Sequence, residues 1–282
     1  MHPGRPSTTA EHAALLRAVH QLHDRPLILE DPVVLRLIDA STIATLRTHP
    51  EAFQTRLRAS IAVRSRYAED CLRDAVDRGT RQYVILGAGL DSFAYRNPFP
   101  PSALHVFEVD HPPTQAWKRQ RLRDAGIEPP GSLTFVPVDF ERQTLAGALV
   151  EGGLDPAVPT FVSWLGVTMY LARETVMRTL AYVASLAAGS AIVFGYVVPP
   201  SSLTGPARAA LSAMAARAAE LGEPWLTFFE PDALAGELER LGLGRVEDLG
   251  PEQAVERYFR GRSDRLRPGG AAHLVRAMSS AR

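Results

Sequence analysis

Strand-length apolar runs that alternate with helix-length segments are the feature that most constrains the fold of this chain. The runs lie at residues 83–86, 106–109, 135–138, 161–162 and 191–194. Helical segments are predicted between them at about 114–125, 141–150 and 173–187. Strands that are apolar along their length are buried on both faces, and strands that alternate with helices pair in parallel. The pattern therefore predicts an α/β fold with helices on both faces of a mostly parallel sheet.

The segments on either side of this alternating region complete the predicted architecture. Thr8-Thr9-Ala10-Glu11 has capping-box spacing, so a first helix is expected from there. Further helices are expected at about 32–38, 51–76, 206–221 and 231–241, and two more strands at 245–249 and 273–278. The sequence contains no internal repeat or long linker, so one domain is predicted over 1–282. Its helical lid would span 1–80 and its α/β core 81–282.

Composition excludes several classes of partner. Lys plus Arg and Asp plus Glu are both 31, and a neutral chain lacks the basic footprint expected of a protein that binds nucleic acid or an anionic membrane. No signal peptide is visible in Met1–Glu11, and no apolar run approaches the ~20 residues of a membrane span. The single cysteine, Cys71, is typical of a reducing compartment. A cytoplasmic protein is predicted, and the scattered histidines predict no metal site.

A glycine turn follows the first predicted strand. Gly87 lets the chain turn sharply, and Gly89 lets a ligand approach the backbone next to Ala88 without meeting a Cβ. Such a turn is also a common plain strand exit. The third glycine of the dinucleotide fingerprint is replaced by Ser92, which disfavours NAD or FAD.

Acidic residues at the ends of the next two strands make the prediction more specific. Asp110 ends the second strand, 23 residues after Gly87, where a carboxylate can accept the ribose hydroxyls of an adenosine. Glu108 lies on the same strand face and is the second candidate for that role. Asp139 ends the third strand and can accept the adenine amino hydrogens, with Phe140 beside the ring. Each acid could instead cap a helix, but together they predict an adenosine site.

Five stretches of this sequence carry a family resemblance. They are 63–67 (VRSRY), 82–96 (QYVILGAGLDSFAYR), 107–110 (FEVD), 138–140 (VDF) and 166–171 (GVTMYL). The sequence resembles the leucine carboxyl methyltransferase family, especially its bacterial branch of S-adenosylmethionine-dependent O-methyltransferases, from about residue 8 to 278. The resemblance implies a Rossmann-like class I methyltransferase fold with a seven-stranded, mostly parallel sheet and an N-terminal helical lid.

The resemblance also implies roles for individual residues toward S-adenosylmethionine. Arg64 would hold the methionine carboxylate of the cofactor and Gly87 would contact it at the turn. Asp110 would bind the ribose, and Asp139 with Phe140 the adenine.

The helix pattern supports the role of Arg64 independently. Arg64 follows the apolar stripe of its helix, where an arginine needs a carboxylate partner, either a ligand or an internal salt bridge. The neighbouring Arg66 is instead predicted to pair with Asp70, four residues further on.

One position departs from the family pattern. Many members carry a glutamate that contacts the methionine portion immediately before the glycine of the fourth-strand motif, but this sequence has Leu165 there. The amino group of the cofactor is therefore expected to meet backbone carbonyls near Gly87 or another side chain.

The methyl acceptor leaves the weakest signal. Tyr170 and Tyr196 are predicted near the carboxyl ends of the fourth and fifth strands, where either could orient an acceptor or simply pack. The leading expectation is methylation of a carboxyl or hydroxyl group of a small molecule, with specialised metabolism as one setting. The alternatives are methylation of a protein C-terminal carboxyl and a non-catalytic cofactor-binding relative. A nicotinamide oxidoreductase is disfavoured by Ser92 and by the lack of a Tyr-x-x-x-Lys pair.

Overall fold

The computed structural model describes residues 7–49, 55–139 and 143–280, which contain one seven-stranded sheet. Its strands are β1 (Gln82–Leu86), β2 (His105–Asp110), β3 (Leu133–Pro137), β4 (Thr160–Trp164), β5 (Ala191–Val197), β6 (Leu243–Leu249) and β7 (Ala272–Ser279). The order is β3-β2-β1-β4-β5-β7-β6; β7 is antiparallel to β5 and β6, and the other pairs are parallel. The predicted Rossmann-like class I methyltransferase fold is confirmed.

Helices cover both faces of this sheet. They are α1 (Thr8–His23), α2 (Val34–Leu37), α3 (Ala40–Thr48), α4 (Thr55–Asp77), α5 (Pro112–Asp124), α6 (Leu145–Glu151), α7 (Arg173–Ala184), α8 (Gly205–Glu220), α9 (Pro231–Leu241) and α10 (Pro251–Tyr258). Because side chains alternate along a strand, Val84 and Leu86 of β1 pack with α6, α7 and α9, while Tyr83 and Ile85 pack with α4 and α10. This two-sided burial explains the continuous apolar runs.

The largest differences from the predicted elements lie in short helices. The predicted helix at 32–38 is only the four-residue α2, and α3 follows it with Asp39 as its N-cap, accepting the amide of Thr42 at 2.8 Å. The sequence analysis missed α3 and α10, which are only nine and eight residues long and bury one residue each. The N-cap of α1 is Ser7, one residue before the predicted capping box, and it accepts the amide of Ala10 at 3.2 Å.

Buried ion pairs hold the N-terminal helices to the core. Nε of Arg17 in α1 lies 3.0 Å from Oδ2 of Asp31, a residue with no exposed surface. Arg96, just after β1, lies 3.4 Å from the other oxygen of Asp31 and also binds Glu69 of α4. A buried charge is stable only with such partners, so this network fixes α1 over the end of β1.

None of the helices within the described ranges is both long and apolar enough to span a membrane.

Candidate cofactor site

The glycine turn, residues 87–89, lies at the carboxyl end of β1 in a conformation that requires glycine. Gly87 and Gly89 have φ of +65° and +47°, values that side-chain-bearing residues rarely adopt. A Cβ on Gly87 would come within 2.6 Å of the Val167 side chain, and one on Gly89 within 3.0 Å of Ala10 in α1. The first turn of α1 therefore covers the glycine turn closely, and Ala10 fills the space beside Gly89 that the sequence analysis expected to be open to a ligand. Ala88 is buried between the two glycines.

Asp110 connects the end of β2 to this turn. Its Oδ2 accepts the amide of Gly89 at 2.5 Å, and its Oδ1 accepts the amide of His111 at 2.7 Å. Burial raises the pKa of the Asp110 carboxyl, and the two amide donors oppose that rise. Each carboxylate oxygen has two lone pairs, so acceptor capacity remains for ribose hydroxyls beside the turn.

Glu108 is engaged inside the protein. Its Oε2 lies 2.7 Å from Nζ of Lys118, the only lysine of the sequence, and both side chains are 1% exposed. The same Nζ donates to the carbonyl of Asp91 at 2.6 Å, just beyond the glycine turn. Burial raises the pKa of Glu108 to about 7 against the effect of Lys118. The pair of Glu108 and Lys118 therefore supports the glycine turn from inside the protein. The role of Glu108 toward the ribose stays a prediction.

The adenine side of the site is only partly described. Asp139 is half-buried just after β3, and its amide donates to Oε1 of Gln143 at 3.2 Å. Phe140 lies outside the described residues, so the adenine roles of both stay predictions. The sequence analysis missed Thr114 at the start of α5, whose buried hydroxyl, like Nδ1 of His111, has no hydrogen-bond partner in the described parts of the chain. Both belong to the segment that follows Asp110.

Arg64 has no partner for its buried Nε within the described ranges. A Cβ on Gly166, directly after β4, would lie 2.2 Å from Nη1 of Arg64, so the absence of a side chain there makes room for the guanidinium. Burial and the nearby Arg17 lower the pKa of Arg64 to about 10, while Tyr170 and Asp91 oppose that shift. A guanidinium in this state requires an anion, and the carboxylate of the cofactor has the planar geometry that suits it.

Arg66 and Leu165, which lie next to residues of the candidate site, can be compared directly with their expected contacts. Arg66 pairs with Asp70 at 2.8 Å, as predicted. Leu165 is half-buried and packs against the apolar cluster under α4, so its side chain offers no acceptor for an amino group.

The two tyrosine candidates differ in surroundings. Tyr170 is half-buried in a short 3-10 turn after β4. Burial raises the pKa of its phenol, and the pKa is also influenced by Thr9, Trp225, Glu223 and Arg64.

Tyr196 is 1% exposed, and its hydroxyl donates to Asp248 while its ring packs on Phe229. Asp248 also binds Nδ1 of His273 at 2.7 Å, a pair that the sequence analysis missed because 25 residues separate its members. Tyr170 is thus the candidate beside Arg64, and Tyr196 belongs to a buried polar network.

No group of three His, Cys, Asp or Glu side chains within 7–49, 55–139 and 143–280 is arranged to hold a metal ion.

Comparison with known proteins agrees with this geometry. The family model for leucine carboxyl methyltransferase matches residues 10–184. The chain is 32% identical to "Putative S-adenosyl-L-methionine-dependent methyltransferase YktD" of Bacillus subtilis (strain 168), over 99% of both chains. It is 36% identical to a protein of the same description from Mycolicibacterium gilvum, covering 67% of this chain and 65% of that one.

A solved structure supports the fold. The crystal structure of a "putative methyltransferase" from Thermobifida fusca YX matches 99% of this chain and 97% of its own, with a TM-score of 0.58 and 16% identity.

The fold and the relatives together define an S-adenosylmethionine-dependent methyltransferase. The chain belongs to the leucine carboxyl methyltransferase family.

We expect the substitution Gly166→Ala to weaken binding of S-adenosylhomocysteine by roughly tenfold or more, about 1.4 kcal/mol. The added methyl group would meet the Arg64 guanidinium and displace it. Gly189→Ala is a matched control, because Gly189 also has a positive φ but no atom within 4 Å of its Cβ position. Isothermal titration calorimetry on both folded variants tests this; equal affinities would show that the space beside Arg64 does not serve the cofactor.

We expect Lys118→Met to destabilise the protein by about 3–5 kcal/mol at pH 8, because it leaves the Glu108 carboxylate buried without its counter-ion. Below pH 7 the loss should shrink. The pKa of Glu108 is already raised by burial, and removing Lys118 raises it further, so at pH 5.5 the folded protein carries a neutral carboxyl that is cheaper to bury. Urea unfolding at the two pH values measures the difference, and an equal loss at both would contradict the buried-charge explanation.

Proposed function

We propose that this enzyme is an O-methyltransferase that methylates a carboxyl or hydroxyl group of a small molecule, with specialised metabolism as its setting. The observation that carries the proposal is the position of Tyr170 in the turn after β4, four residues from Gly166, whose Cβ position lies 2.2 Å from the Arg64 guanidinium. Because burial raises the pKa of Tyr170, its hydroxyl stays protonated at neutral pH and can donate a hydrogen bond to an acceptor oxygen. An ionised carboxylate oriented in this way needs no general base.

The chain's residues would act mainly by binding and alignment. When bound, the cofactor supplies an electrophilic methyl group. Arg64 would hold its carboxylate, Asp110 its ribose and Asp139 its adenine, so that the methyl group faces the acceptor oxygen beside Tyr170. Methyl transfer would leave S-adenosylhomocysteine in the site; an ionised carboxylate acceptor would have no proton to lose, and a hydroxyl acceptor would pass its proton to water. Alignment of this kind can supply much of the rate enhancement.

A covered site favours a small acceptor. The first turn of α1 lies against Gly89, and the Ser7 hydroxyl donates to Glu223 at 3.3 Å from the other side. These contacts cover the glycine turn on this side, which favours a small acceptor over a folded protein surface. We further propose that no nucleic acid or membrane takes part. The single cysteine, Cys71, is buried, which suits a cytoplasmic enzyme.

Transfer of a labelled methyl group from S-adenosylmethionine tests the proposal. The acceptor panel contains small carboxylic acids, phenols and alcohols, with a leucine-terminated peptide for the rival protein substrate. We expect label in a small acid or phenol, and we expect Tyr170→Phe to lower kcat at least tenfold without changing the affinity for S-adenosylhomocysteine. Label in the peptide alone would favour methylation of a protein C-terminus. Tight cofactor binding with no transfer would favour a non-catalytic relative.

A further inference from the structure

We propose that Glu223 binds the α-amino group of the cofactor's methionine portion, opposite the Arg64 guanidinium that binds the carboxylate. The proposal concerns the cofactor alone and does not depend on the identity of the methyl acceptor.

The Glu223 side chain lies at the rim of the glycine turn, although the residue is 134 positions from Gly89 in the sequence. Its Oε1 accepts the hydroxyl of Ser7 at 3.3 Å. Ser7 in turn caps α1 through the amide of Ala10, whose Cβ lies 3.0 Å from the Cβ position of Gly89. A short series of contacts therefore joins this carboxylate to the backbone that the cofactor approaches.

The second oxygen of Glu223 has no partner. Its Oε2 is buried and accepts no hydrogen bond from the residues that the structure describes. A carboxylate oxygen removed from water without a donor is costly, as is the unpaired Nε of Arg64. The Glu223 carboxylate and the Arg64 guanidinium thus each leave one buried atom unpaired within the described residues.

Both groups lie near the glycine turn, Glu223 through Ser7 and Arg64 through Gly166, whose neighbour Val167 lies 2.6 Å from the Cβ position of Gly87. They act on the hydroxyl of Tyr170 in opposite directions, since Glu223 raises the pKa of that phenol and Arg64 lowers it. A ligand that satisfies both needs an ammonium and a carboxylate on neighbouring atoms. An α-amino acid group has this arrangement, and S-adenosylmethionine ends in one.

The nearby alternatives are less suited to an ammonium. Leu165 is apolar and packs into the core. Asp91 also lies close enough to influence Arg64, but its Oδ1 is already engaged by the amide of Phe93 at 2.8 Å. Glu108 is already paired with Lys118 at 2.7 Å, whereas Glu223 keeps one buried oxygen without a partner among the described residues.

Two nucleoside ligands separate the amino acid portion from the rest of the cofactor. S-adenosylhomocysteine carries the α-amino acid group, and 5′-methylthioadenosine lacks it. We expect Glu223→Gln to weaken binding of S-adenosylhomocysteine at least tenfold by calorimetry and to leave binding of methylthioadenosine unchanged. Glu220→Gln is the matched control, because that carboxylate is exposed on the same helix end and pairs with Arg217; it should change neither affinity.

Glu223→Asp keeps the charge and guards against a folding defect. It should show a smaller loss, again confined to S-adenosylhomocysteine, with an unchanged melting temperature.

Three results would overturn the assignment. An unchanged affinity of Glu223→Gln for S-adenosylhomocysteine would mean that another group binds the ammonium. Equal weakening of both ligands would mean that Glu223 only supports the lid. If Glu223→Gln weakened the binding of S-adenosylmethionine but not of S-adenosylhomocysteine, the carboxylate would interact with the sulfonium of the cofactor instead of its amino group. A failed label transfer to small acceptors would leave these binding results unaffected, so the two proposals fail separately.

Discussion

The bond between the Asp110 carboxylate and the amide of Gly89 is the interaction on which the site depends. It ties the loop after β1 to the end of the neighbouring strand, where a parallel sheet exposes its ligand-binding edge. Lys118 reinforces the same loop from α5 by contacting the carbonyl of Asp91 and the carboxylate of Glu108. The backbone is thus held in its positive-φ conformation before any ligand arrives, which lowers the cost of binding.

The N-terminal helices α1 and α4 also hold groups in place beside the glycine turn before a ligand binds. Arg17 is committed to Asp31 and to the carbonyl of Leu90, so it holds α1 in position. Nε of Arg64 has no such partner among residues 7–49, 55–139 and 143–280, which leaves it available to a ligand anion. Two arginines of the N-terminal helices thus have different roles. A carboxylate of the protein binds Arg17 but does not reach Nε of Arg64 within the described residues.

The sequence predicted those features that depend on residues close together in the chain. Continuous apolar runs predicted the strands, and the strand-end glycines predicted the turn after β1, but the bond from the Gly89 amide to Asp110 was not predicted. The sequence analysis missed α3 and α10, which are short and bury one residue each. It also could not find the pairing of Glu108 with Lys118 or the open carboxylate of Glu223. Such contacts join residues that only the tertiary fold brings together, and no spacing pattern records them.

Nearly all of the chain's fixed positive charge is carried by arginine. Of its 31 Lys and Arg residues the single lysine is Lys118, whose ammonium is enclosed beside the loop after β1. Acetylation or methylation of lysine would therefore have no exposed target on the folded surface. Lysine modification therefore cannot change the charge of the folded surface. If an amine-directed reagent did react with Lys118, the region around the loop after β1 must have opened.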